Sequence, residues 1–174
     1  REGPILNGVA LREGRWLEPG RRDEVILSEA FAAANRLRPG DRIGAVLNGR
    51  WQRLHVVGVG LSPEYVYEIR GTDLLPDNKR FGVAWMSREA MGPAFELEGA
   101  FNDVVLQLAP GAREADVIER VDRELDRWGG LGAYGRNDQI SHRFLSDEIA
   151  QNRVTGVVVP AIFLGVAAFL LNVV

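Results

Sequence analysis

Cysteine is absent from the 174 residues, which excludes disulfides, thiolate metal sites and cysteine nucleophiles. Lysine occurs once, at Lys79, between Asn78 and Arg80. No GxxxxGK[ST] loop is therefore present, and ATP hydrolysis by that route is excluded. Histidine is nearly as scarce. His55 falls in a predicted strand and His142 beside Ser141, and two histidines so widely separated lack the ligand spacing of a metal motif. No basic run is longer than a pair and the net charge is -3, so a phosphate-binding stripe is not expected. The opening REGPILNGVALREGRW has no apolar h-region. The expectation is either a cytoplasmic protein or a piece of a longer chain whose targeting segment lies upstream.

Charge is missing altogether from residues 154–174, VTGVVVPAIFLGVAAFLLNVV. At about 1.5 Å per residue this run spans roughly 31 Å, close to the ~30 Å hydrocarbon core of a bilayer. Gly156, Pro160 and Gly165 weaken a soluble helix but are common in membrane-spanning ones. A transmembrane helix is expected, preceded by a polar stub capped by Ser141 or Ser146 and led by Asp147 and Glu148. No Gly or Pro stands between Asp147 and Val154, so the stub and the rod are expected to form one helix without a hinge.

The preceding residues read as mixed α and β. A short strand over Glu24–Leu27 leads to a helix with Ser28 as N-cap and Glu29 in its first turn. Asn35 is the expected left-handed cap, and Pro39-Gly40 suits a type II turn. Asn48-Gly49 between extended runs predicts a hairpin with strands near 42–47 and 51–59, because both central residues of a type I′ turn need positive φ. A long polar loop over 61–80 follows, then a strand at FGVAWM and a helix capped by Ser87 and ending near Phe95. From Asp103 the pattern is strand, turn, helix, Gly-rich turn, with Val117, Ile118, Val121, Leu125 and Trp128 on one helix face. Pairs Asp116–Arg120 and Glu119–Arg123 suit its solvated face. A further strand near 132–140 would complete a β-α-β unit.

Catalytic signatures fail on inspection. Gly58-Val59-Gly60 follows a strand, but Pro63 replaces the third glycine of a dinucleotide fingerprint and a loop replaces its helix. Gly60-Leu61-Ser62-Pro63-Glu64 misses the nucleophile elbow. Ser141, His142 and Asp147 form a triad in name, with nothing in the sequence to supply an oxyanion hole. No catalytic, cofactor-binding or metal-ligating residue is expected. The candidate partner contacts are Tyr65 and Tyr67, which at strand spacing share one face. The alternative is that they pack the loop onto its own domain.

The ordered blocks GRWL…DEVILSEAFAAANRLRPGDRI, HVVGVGLSPEYVYEI, FGVAWMSREAM, GAFNDVVLQLAPGAREADVIERVDREL and SHRFLSDEIAQ…VPAIFLGVAAFLLNVV resemble the FtsX/MacB-like family of ABC-transporter permease subunits over most of the chain. Arg36 departs from it, standing where such sequences often have glycine, and the family's upstream half, a first transmembrane helix and an opening β-α piece, is not in this sequence. The resemblance implies an α+β, two-lobed extracytoplasmic domain followed by a transmembrane helix. Residues 10–98 would be an inserted mixed α/β lobe, 99–145 the later half of a β-α-β membrane-proximal lobe, and 146–174 the stub and transmembrane helix. It further implies a non-enzymatic subunit of the bacterial inner (cytoplasmic) membrane, without a cofactor, whose soluble part is periplasmic. Its expected partners are a separate cytoplasmic ATPase, a second permease copy, and a periplasmic partner or lipid or lipoprotein cargo. The rival expectations are a binding module passively tethered to the membrane and a membrane-anchored hydrolase built around His142.

Overall fold

Strand Glu24–Ser28 (β2) carries five consecutive buried residues, the pattern of a strand covered on both faces. It is central to the sheet in the computed structural model, which describes residues 6–70, 73 and 75–173. The sheet comprises Ala10–Gly14 (β1), β2, Arg42–Leu47 (β3), Arg50–Leu61 (β4) and Ala84–Trp85 (β5). Its order is β1-β4-β2-β5, with β3 also on β4. β2 runs parallel to β4, and the other pairings are antiparallel. β4 has twelve residues, roughly 40 Å of strand, enough to serve β3 over Arg50–His55 and β1 over Gly58–Leu61 along a single flank.

Turn chemistry accounts for the hairpin. Asn48 (φ 45°) and Gly49 (φ 77°) both take positive φ, as the type I′ turn requires. At Pro39-Gly40 the Asp41 N–H donates to Arg38 O at 3.0 Å and Gly40 has φ 103°, closing the type II turn. Gly58 and Gly60 are present for a different reason from a nucleotide loop. A Cβ on Gly58 would lie 2.7 Å from Arg15 O and one on Gly60 2.5 Å from Val9 Cγ1. Both admit the N-terminal segment that includes β1, a strand the sequence pattern did not announce.

Helix Glu29–Asn35 (α1) lays Ala32 and Phe31 on a core of Val25, Leu27, Leu54, Val56 and Val59. Two expectations about its ends are corrected. The Ser28 hydroxyl does not cap it; it donates to Glu68 Oε2 at 2.7 Å and accepts from Val83 N–H at 3.1 Å. The left-handed position is Arg36 (φ 58°), not Asn35, whose Nδ2 instead donates to Phe31 O at 3.0 Å. Helix Arg88–Phe95 (α2) is capped by Ser87 Oγ, which accepts from Ala90 N–H at 3.2 Å.

Helix Glu114–Leu125 (α3) forms where the periodicity placed it and continues as a 3-10 turn to Trp128 before Gly129. Glu119–Arg123 pairs at 3.1 Å, whereas Asp116 meets Arg113 at 3.7 Å and not Arg120. The strands expected near 103–108 and 132–140 form no ladder among the described residues, so the β-α-β unit is not built. An extended segment becomes a strand only when a neighbour takes up its backbone groups. Here the apolar side chains of Val104, Val105 and Leu106 stay exposed. Residues Arg1–Ala133 and Tyr134–Val174 are two compact units. The second holds a 3-10 turn, Arg136–Asp138, and the helix Ile140–Val173 (α4).

Candidate functional site

The 34 residues of α4 make a rod of roughly 51 Å at 1.5 Å per residue. Its N-terminal cap is Gln139, whose Oε1 accepts from His142 N–H at 2.7 Å. Ser141 and Ser146 lie inside the helix and do not start it, and Asp147 and Glu148 fall beyond the first turn, which has no acid. The helix then runs without interruption past Arg153, the last charge, into the apolar stretch. Over Ile140–Asn172 it is long and apolar enough to cross a membrane, and its apolar window is wholly unburied. Pro160 removes one N–H, and its ring presses on the carbonyl four residues earlier. Gly156 stands there, where the absence of a side chain eases the local adjustment. The polar stub and the apolar rod are thus one continuous helix.

The loop after β4 is held to the sheet domain. Ser62 Oγ donates to Asn7 O at 3.1 Å and accepts from Glu64 N–H at 3.3 Å. Glu68 is buried against Ser28. Burial raises its carboxyl pKa, with hydrogen bonds from Ser28 and Val83 opposing. Tyr65, 37% exposed, stands edge-on to Trp85 with ring centroids 6.3 Å apart, and Tyr67 is half-buried. Both tyrosines sit on this anchored loop, and Tyr65 also packs against its own domain.

A second polar centre escaped the sequence reading. Glu24 is 1% exposed, and Arg15 grips both of its oxygens, at 3.0 and 2.6 Å. The Glu18 N–H adds a bond at 2.9 Å. Arg15's hydrogen bonds are the largest cause holding the Glu24 carboxyl down at about 2, outweighing the burial that pushes it upward. A depressed folded pKa stabilises the protein above the unfolded value near 4.5, and that contribution is lost as pH falls toward 2. Urea titrations at neutral pH and near pH 3 should show Glu24→Gln less stable than the native chain at neutrality by roughly 2 kcal/mol. The gap should narrow in acid; an unchanged gap would exclude the ion pair as its source. The only sequence signal was an acid opening an apolar strand.

Ser141, His142 and Asp147 all project from α4, where 100° per residue sends them in different directions. Among the described residues no group of three His, Asp or Glu side chains is arranged to hold a metal ion. Compared with protein-family models, with characterised proteins and with solved structures, the chain matches none.

Proposed function

We propose that the chain is a non-enzymatic extracytoplasmic domain of an ABC-transporter permease subunit in the bacterial inner membrane. It transmits ATP-driven movement of a transmembrane helix to a two-lobed periplasmic domain that handles lipid, lipoprotein or an export partner. A separate cytoplasmic ATPase would supply the motion, and a second permease copy would complete the assembly. The observation that carries this reading is the single helix Ile140–Val173, charged in its first half and then uncharged and mostly apolar, with no break at the change. A continuous helix transfers translation and rotation along its axis, whereas a flexible junction dissipates both. The ordered blocks of sequence quoted above support the family assignment by resemblance.

The rival reading is a passive tether. Replacing residues 154–174 with an unrelated transmembrane helix, in the full-length protein reconstituted with its ATPase, separates the two. Transport should fall below about a tenth of the native rate, because the replacement keeps the anchor but loses the faces that engage the rest of the membrane assembly. A tether would tolerate the exchange, and undiminished transport would leave only that reading.

A further inference from the structure

From Arg42 to Leu61 the chain contains three arginines, Arg42, Arg50 and Arg53, and no acid, although the whole chain carries a net charge of -3. None of the three forms an ion pair among the described residues. The hairpin that holds them has two unlike faces. Ile43 and Ala45 point toward the core. On the other face Val46 lies directly opposite Trp51, and Gly44 opposite Arg53. Trp51 and Val46 are 63% and 66% exposed. The indole lies across Gly44, where a Cβ would be 3.1 Å from Nε1, and the Arg53 guanidinium is 5.8 Å from the ring centroid. An aromatic ring that covers a strand glycine supports the sheet, yet this one keeps most of its surface in water beside unpaired positive charge.

The backbone beside this face is also open. His55 N–H donates to Asp23 O at 2.7 Å, on the flank where β2 runs. Alternation along a strand turns the N–H groups of Arg53 and Trp51 the same way. β2 pairs with β4 only from His55 onward, and among the described residues no strand lies beside Arg50–Leu54 on that flank. The arrangement supplies ladder donors for an added strand, an aromatic surface for an apolar side chain and guanidinium groups for carboxylates.

We propose that this flank of β4 receives an extended, acidic segment of a partner protein, added as a strand with carboxylates against Arg53 and an apolar residue on Trp51. The proposal is independent of the transporter reading, since it stands on the hairpin alone. The probe is a fluorescein-labelled peptide of repeat Glu-Thr-Val-Thr (the Glu–Val peptide), whose strand period of two puts Glu and Val in turn on one face, titrated by anisotropy against the full chain in uncharged detergent. A Lys–Val peptide serves as its control. The Glu–Val peptide should bind at least about tenfold more tightly than the control, and Arg53→Glu should remove that advantage. Arg53→Gln should give an intermediate loss. Hydrogen exchange should show new protection at the Trp51 and Arg53 amides when the Glu–Val peptide is bound. The Arg53 side chain is exposed, so unchanged circular dichroism is expected of each variant. Equal binding of the two peptides, indifference to Arg53→Glu, or protection confined to other segments would each overturn the proposal. So would failure of the Glu–Val peptide to bind while Arg53→Glu abolishes attachment to phosphatidylglycerol vesicles or self-association.

Discussion

If the chain works as proposed, a Gly-Ser-Gly-Ser spacer inserted between Arg153 and Val154 should leave ATP hydrolysis by a partnered ATPase largely intact and reduce transport below about a tenth. The inserted glycines each cost about 1 kcal/mol in a helix interior relative to alanine. The four-residue insert also interrupts the i to i−4 ladder where the charged stub meets the apolar span. The apolar span would still be held by lipid, and the sheet domain would still fold, so anchoring and folding are unaffected. Only the stiff connection is lost. Transport at the native rate with this spacer would mean that α4 does no more than tether.

A second insertion at the same point tells stiffness apart from spacing. Seven strongly helical residues add about two turns and leave the far end only ~20° out of phase. The apolar span would stand about 10 Å further along the helix axis from the stub, with the rod still continuous. Such a variant should transport substantially better than the shorter flexible one. If both fail equally, distance matters and rigidity does not.

Where a single residue type meets a local backbone demand, the structure was readable in advance. Asn48-Gly49, Pro39-Gly40 and the Ser87 cap depend on φ preference and on one nearby hydrogen bond. The continuity of α4 was readable from the absence of Gly and Pro between Asp147 and Val154. What escaped depends on distant partners. β1 carries Arg12 and Glu13 and shows no clear alternation; its existence follows from the Gly58 and Gly60 gaps in β4. Ser28 had the identity and position of a cap, but a buried carboxyl 40 residues away claimed its hydroxyl. The segment near 103–108 shows the reverse. Its composition suits a strand, and no neighbour completes it among the described residues. The Trp51 face likewise needed the cross-strand register before Val46, Gly44 and Arg53 could be placed around it.

Leu27→Ala should lower the stability of the sheet domain by about 3–4 kcal/mol. Leu27 is 1% exposed and belongs to the cluster with Val25, Ala32, Leu54, Val56 and Val59. In β2 it faces Val59 on one side and Ala84 on the other. β4 and β5 both bond to this strand, so the sheet has little freedom to close over a lost isobutyl group. The cost therefore includes the cavity as well as the lost transfer energy. For a unit of this size the change corresponds to a fall of roughly 10–15 °C in Tm, measurable by tryptophan fluorescence of the full chain in detergent. Val46→Ala, on the exposed hairpin face, should stay within about 0.5 kcal/mol of the native value. A Leu27→Ala loss as small as that would mean that the β2 cluster is not what holds the sheet domain together.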